Sequence, residues 1–153
     1  MVCFENTIVL IGGKSYGDIT GRVELFDLMR GRWRASLNAP SLRQTRWRHS
    51  SCLSGDRIYT FGGHSGINRL TALESCNARK LVTGHSSAIW RRVKIELEDS
   101  GVVARTHPIL SPIFDGAILI AGGFADNGKK LGDWHIVDLE ARSVSNVDSM
   151  VNI

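Results

Sequence analysis

Three short apolar runs, each followed at once by two glycines, recur along the chain. They are TIVLIGG at 7–13, RIYTFGG at 57–63 and GAILIAGG at 116–123. The residues at 8–11 are all apolar and lack the alternation of a half-exposed strand, a pattern typical of a strand covered on both faces. We therefore predict a short buried strand in front of each diglycine.

The positions of the diglycines indicate an internal repeat. The pairs stand at 12–13, 62–63 and 122–123, so the intervals between them are similar. An acid or amide follows each pair at almost the same offset, at Asp27, Asn77 and Asp138. A tryptophan follows the first two pairs, at Trp33 and Trp90, and is missing from the third copy. Matching offsets at a period of this size predict a repeat architecture.

An arginine followed by a histidine precedes the second and third diglycines. The segments are RWRHS at 46–50 and RTHP at 105–108, which place His49 and His107 at similar distances before Gly62 and Gly122. We expect both histidines to brace the repeat at equivalent positions.

Each repeat therefore predicts four short antiparallel strands. The first follows the histidine, the second precedes the diglycine, the third ends at the Asp or Asn, and the fourth begins at the tryptophan. The chain is expected to be all-β, with three units at about 1–45, 46–103 and 104–153. No helix is expected over 71–81, because that segment holds a third strand and a turn.

Several residue types in the repeat are expected to be structural. Glycine tolerates positive φ and close backbone approach, so three strands that end alike need the same pair of glycines. Asp and Asn accept hydrogen bonds from backbone donors in turns, and the tryptophans are expected to pack the fourth strand onto its sheet. The glycines concerned are Gly12, Gly13, Gly62, Gly63, Gly122 and Gly123.

These features together resemble the kelch repeat, the blade of one class of β-propeller. The resemblance implies a partial propeller of about three blades, of which the first lacks most of its first strand. Complete kelch propellers resemble closed rings of about five to seven blades. We therefore expect the chain to be part of a larger protein, or an arc that needs further blades from the same or another chain.

Composition narrows the class of protein without identifying a function. The 153 residues suit one domain, and a formal net charge of +4 is too small to indicate nucleic-acid binding. Three cysteines without metal-ligand spacing argue against a disulfide framework or a zinc site. No apolar run is long enough to span a membrane. A cytoplasmic or nuclear protein without metal or cofactor is expected.

The resemblance implies ligand binding by the loops at 14–21, 38–47, 64–69, 97–104 and 124–132, and a basic cluster stands out in the connection that contains 38–47. Arginine beside an aromatic ring suits recognition of carboxylates or phosphates. The candidate binding residues are Lys14, Arg43, Arg46, Trp47, Arg48 and His64. Arg46, like His49, also matches a framework position of the repeat. The expected partner is a protein or peptide, with acidic character.

Three functions stay open at this point. The first, favoured by the resemblance, is a non-catalytic scaffold or substrate-recruiting module. The second is the propeller part of an enzyme, such as an RNA-modifying methyltransferase or a sugar mutarotase. The third is a structural arc with no binding face of its own. GHSSA at 84–88 resembles a hydrolase nucleophile elbow, but it lacks the last glycine and joins two strands.

Overall fold

Three four-stranded antiparallel sheets make up the computed structural model, which describes residues 1–34, 39–114 and 116–147. We call them blades 1, 2 and 3. Blade 1 consists of β1 (Val2–Phe4), β2 (Thr7–Ser15), β3 (Asp18–Asp27) and β4 (Arg32–Trp33). Blade 2 consists of β5 (Ser50–Ser54), β6 (Arg57–Phe61), β7 (Leu73–Asn77) and β8 (Arg91–Arg92). Blade 3 consists of β9 (Ile109–Phe114), β10 (Ala117–Ala121), β11 (Trp134–Asp138) and β12 (Ser143–Asn146).

Strands pair in chain order within each blade, so each is a simple up-and-down meander. Tight turns join neighbouring strands, as between β5 and β6, where Ser54 pairs with Arg57. Three such sheets in sequence form a partial β-propeller, and the predicted all-β fold is confirmed. Of the predicted segments, positions 35–38 of the first unit, which include the start of the 38–47 loop, and positions 115 and 148–153 of the third unit lie outside the described residues.

The hairpin of blade 1 is longer than the sequence indicates. β2 continues through its diglycine to Ser15, and β3 begins at Asp18. A register shift between Ile11 and Gly13 marks a β-bulge that lets the strand continue beyond the glycines. The loop predicted at 14–21 is therefore wrong, because most of it is paired strand around a two-residue turn.

A short helix, α1 (Ala78–Thr83), follows β7 in the connection that was predicted to be a turn. Asn77 caps its N terminus by accepting a hydrogen bond from the Lys80 amide at 2.9 Å, and Gly84 ends it with φ 70°. The third strand predicted within 71–81 is present, but the expectation of no helix fails at 78–81. Leu81 is buried against the core between blades 1 and 2, which stabilises this short helix.

The hydrophobic core lies between the blades rather than within any one of them. Val9 and Ile11 of blade 1 pack with Ile58 of blade 2 in one cluster. Phe61 of blade 2 packs with Ile118 of blade 3 in a second cluster. Blade 2 therefore buries one face against each neighbour, as the consecutive apolar residues predict. No helix in the described residues is long and apolar enough to cross a membrane.

Candidate functional site

Each diglycine of blades 1 and 2 lies where the backbone that leads into the following blade approaches. Gly13 N–H donates to the carbonyl of Arg46 at 2.8 Å, and Gly63 N–H donates to the carbonyl of Arg105 at 2.8 Å. A Cβ on Gly12 would lie 2.8 Å from the Arg46 oxygen, closer than side chains tolerate. Positive φ at Gly12, 57°, also favours glycine. The diglycine is thus a junction between blades.

The arginines at these junctions form a repeated internal ion pair. Arg46 is fully buried, pairs with Glu74, and donates to the carbonyls of Gly62 and Ala72 at 3.1 and 3.0 Å. A buried guanidinium requires this full set of acceptors. Arg46 therefore lies in the framework and is not available to a ligand, which corrects its place among the candidate binding residues.

Blade 3 repeats the pair with Arg105, which is also fully buried. Its guanidinium donates to both carboxylate oxygens of Asp133 at 2.7 Å and to the Gly122 carbonyl at 3.1 Å. Burial alone would raise the pKa of Asp133, but hydrogen bonds from Arg105 and His135 lower it below its ordinary value. Neither Glu74 nor Asp133 was predicted from the sequence. The interval from Arg46 to Glu74 is nevertheless the same as the interval from Arg105 to Asp133.

The predicted equivalence of His49 and His107 is wrong. Because Arg46 and Arg105 occupy matching positions, His107 corresponds to Arg48, and both have positive φ, 52° and 55°. His107 is exposed, with its ring edge-on to Phe124. His49 instead lies against Gly12, where burial and the charge of Arg46 lower its pKa to about 4.

Lys14, Trp47 and Arg48 form a cationic–aromatic cluster where blades 1 and 2 meet. Lys14 Nζ lies 5.0 Å from the centre of the Trp47 ring, and the Arg48 guanidinium carbon lies 3.9 Å from it. These distances are those of cation–π contacts. His64 is joined to Trp47 through the main chain, because the backbones of the two residues exchange hydrogen bonds of 2.9 and 3.2 Å. The structure thus brings together four of the six predicted binding residues.

Trp47 has unused hydrogen-bonding capacity within this cluster. Its indole Nε1 is buried and donates to no acceptor in the described part of the chain. Neither Lys14 nor Arg48 takes part in an ion pair among the described residues. Two exposed, uncompensated cations give this cluster the chemistry of an anion-binding surface. The buried Nε1 of Trp47 is closed to a ligand.

Arg43, the remaining candidate, lies apart from the cluster. Its amide donates to Glu74 Oε2 at 3.0 Å. It lines a separate cavity of about 400 Å³ with Gln44 and Arg92.

The other predicted binding loops have structural contacts of their own. Loop 97–104 is partly core, because Leu97 and Val102 are buried between blades 2 and 3. Arg69 and Asp126 join the 64–69 and 124–132 loops by an ion pair of 2.6 Å. These loops therefore help to hold blades 2 and 3 together.

The predicted turn hydrogen bonds occur in all three blades. Asp27 Oδ1 accepts from the amides of Met29 and Arg30, both at 3.1 Å, and Asp138 Oδ1 accepts from two amides that follow it. Asn77 makes the equivalent bond as the cap of α1. The Arg30 side chain, hydrogen-bonded to Asp27, lowers the pKa of that carboxyl.

The two tryptophans of the repeat differ in their surroundings. Trp90 is buried, and its Nε1 donates to the Pro40 carbonyl at 3.0 Å. Trp33 contacts its own sheet through Phe26, at 5.2 Å between ring centres, but it is 55% exposed. The packing role predicted for Trp33 is therefore only partly met, because it contacts its own blade and stays open to solvent on its other side.

Hydrolytic and metal chemistry receive no support from the described residues. Ser87 Oγ lies 2.9 Å from His85 Nδ1, but the same nitrogen also accepts from the Ser87 amide, so this contact is a local turn. Within the described ranges no third group orients the imidazole, as a catalytic pair requires. The described residues contain no cluster of three potential metal ligands.

The chain matches no protein-family model and no curated protein.

Proposed function

We propose that this chain is a non-catalytic protein-interaction module of the kelch-propeller type, a scaffold or substrate-recruiting part of a larger cytoplasmic or nuclear protein. The observation that carries the proposal is the stacked arrangement of Lys14, Trp47 and Arg48 at the junction of blades 1 and 2. The repeat pattern supports the choice of propeller class.

Stacking on one indole ring limits the rotamers of two long cationic side chains before a ligand arrives. This lowers the conformational entropy that binding costs, by about 0.5–1.5 kcal/mol for each side chain immobilised. Carboxylates suit the site because the guanidinium of Arg48 and the ammonium of Lys14, both exposed, donate to oxygen. The proposed ligand is therefore an acidic segment of a partner protein.

Fluorescence anisotropy with a labelled glutamate-rich peptide tests this function. We expect Arg48→Glu to weaken binding by about tenfold or more, because a charge-assisted hydrogen bond contributes roughly 1.5–3 kcal/mol. Lys14→Glu is expected to act in the same direction. Lys94→Glu is the matched control, since it makes the same charge change at an exposed lysine outside the cluster.

Two results would contradict this function. One is equal loss of binding in the Lys94 and Arg48 variants, which would reduce the interaction to net charge. The other is a preference for single-stranded RNA over the peptide with an affinity that falls steeply with salt, which would favour the enzyme-associated alternative instead.

A further inference from the structure

The backbone pairing that holds the cationic–aromatic cluster recurs at the junction of blades 2 and 3. Thr106 and Phe124 exchange backbone hydrogen bonds of 3.0 and 2.9 Å, the same pairing that joins Trp47 to His64. Phe124 therefore corresponds to His64, and each lies directly after the diglycine of its blade. The second junction thus places a phenyl ring where the first places an imidazole.

Arg48 and His107, which hold equivalent positions at the two junctions, are also direct neighbours. The His107 amide donates a hydrogen bond to the Arg48 carbonyl at 2.7 Å, so the two junctions meet at this bond. Both residues have positive φ, 55° and 52°, and both are exposed. Their side chains therefore leave equivalent stretches of backbone next to each other, on one solvent-exposed surface.

A continuous strip of side chains therefore runs from blade 1 to blade 3, and we call it the junction strip. At its blade 1 end, Lys14 and Arg48 stack on the Trp47 ring. At its blade 3 end, the His107 ring lies edge-on to Phe124 with 5.8 Å between the ring centres, and Phe124 is 37% exposed. The junction strip is thus cationic at one end and aromatic at the other.

The distance between the two ends of the junction strip suits a short extended segment. Two hydrogen-bonded steps, from Arg48 to His107 and from Thr106 to Phe124, separate the backbones of the two ends. At about 5 Å for each step, the separation is about 10 Å, which about three residues of an extended chain cover. A ligand bound by its carboxylates at Arg48 therefore reaches Phe124 within a few residues.

We propose that the acidic segment of the partner carries an aromatic side chain about three residues from its acidic residues, and that this ring packs on Phe124 and His107. This inference rests on the proposed function, because Lys14 and Arg48 must bind the carboxylates of the same segment. Aromatic side chains are enriched among the residues that contribute most to protein interfaces. The aromatic end of the junction strip therefore selects one acidic segment from others of equal charge.

Fluorescence anisotropy with two pairs of glutamate-rich peptides tests this inference. One pair carries phenylalanine or alanine about three residues after the glutamates, and the other pair carries it about three residues before them. In one pair we expect the phenylalanine peptide to bind about two- to tenfold more tightly, because ring–ring contact adds to the burial of apolar surface.

Variants of the chain locate the contact. Phe124→Ala is expected to abolish the preference for phenylalanine, and Phe124→Tyr, which keeps the ring, is expected to retain it. His107→Ala gives a second reading at an exposed position and is expected to reduce the preference. Phe114→Ala is the matched control, since Phe114 is an exposed phenylalanine at the other end of the hairpin of β9 and β10. An unchanged thermal midpoint confirms that each variant remains folded.

The inference is overturned if the two peptides of each pair bind the wild-type chain equally, a comparison that needs no variant. It is also overturned if the preference survives Phe124→Ala, or if Phe114→Ala removes it to the same extent. The proposed function fails by a different result, which is that no acidic peptide binds or that Arg48→Glu leaves binding unchanged. Acidic peptides that bind through Arg48 without a preference for the ring exclude the aromatic contact alone.

Discussion

The side chain of His49 makes the free energy of unfolding depend on pH. Burial, together with the charge of nearby Arg46, lowers the pKa of His49 to about 4. The unfolded chain binds this proton near pH 6.5 and the folded chain does not, so the contribution of His49 to the free energy of unfolding is constant above that pH. It falls as the pH drops from about 6.5 to about 4, by about 3 kcal/mol at most.

Urea unfolding at pH 7.5 and pH 4.5 measures this loss. Replacement of the imidazole in His49→Gln is expected to flatten the profile over that range, whereas His85→Gln, at an exposed position, is expected to leave it unchanged. Carboxylates with lowered pKa, such as Asp27 and Asp133, lose their contribution only at lower pH. An equal slope in the wild type and His49→Gln would show that another group carries the effect.

The three thiols should differ sharply in reactivity. Burial raises the pKa of Cys52 to about 12 and raises that of Cys76, whereas Cys3 is exposed. Because the thiolate is the reactive form, a disulfide reagent at pH 8 is expected to label one thiol of the native chain quickly and all three after unfolding. Cys3→Ser should remove the fast phase. Fast labelling of two or more native thiols would contradict the placement of β5 and β7.

At the scale of the strand end, a side chain at the first glycine of a pair can be destabilising for two reasons, its positive φ and its contact with the neighbouring blade. Comparison of Gly12 with Gly122 distinguishes the two. Gly12 and Gly122 have the same φ, 57°, but a Cβ on Gly12 would lie 2.8 Å from the Arg46 carbonyl, and one on Gly122 would come no closer than 3.6 Å to Leu131. We expect Gly122→Ala to cost about 1 kcal/mol for its backbone conformation alone.

Gly12→Ala is expected to cost about 1–3 kcal/mol more, because it forces blades 1 and 2 apart. Chemical denaturation of the two variants measures the difference. Equal destabilisation would mean that φ, rather than the junction between blades, explains why the repeat keeps glycine at this position.

The strands could be predicted from the sequence because buried apolar runs and turn residues are local signals. The helix α1 could not, since this short segment is stabilised by Leu81 in the core between two blades. The predicted equivalence of His49 and His107 was wrong for a related reason. The contacts of Arg46 and Arg105 with the preceding diglycines fix the alignment, and those contacts join residues that are far apart in the sequence.

The candidate site divides in the same way. Lys14, Trp47, Arg48 and His64 could be predicted because they lie beside strand ends that meet at one junction. The burial of Arg46 could not be predicted without its partner, because a charge in a loop and a charge in an internal pair look alike in sequence. The available signal was the equal interval from Arg46 to Glu74 and from Arg105 to Asp133.

At the scale of the whole molecule, both terminal blades leave one face uncovered by the described part of the chain. In blade 3, Ile109 and Trp134 both pair with Ala121, and they are 57% and 49% exposed. The matching row of blade 2, at Phe61 and Leu73, is buried against blade 3. The outer face of blade 3 is therefore apolar like the face of blade 2 that packs on blade 3, but no blade of the described residues covers it.

An apolar sheet face of this kind favours association, because its burial removes hydrocarbon surface from water. We expect the isolated chain to self-associate as its concentration rises, and we expect the double variant Ile109→Lys, Trp134→Lys to stay monomeric in sedimentation velocity. Ile67→Lys is the matched control, since Ile67 is 85% exposed but lies in a loop. If both variants associate like the wild type, the outer face of blade 3 is not the surface that drives assembly, and the uncovered face of blade 1 is the next to test.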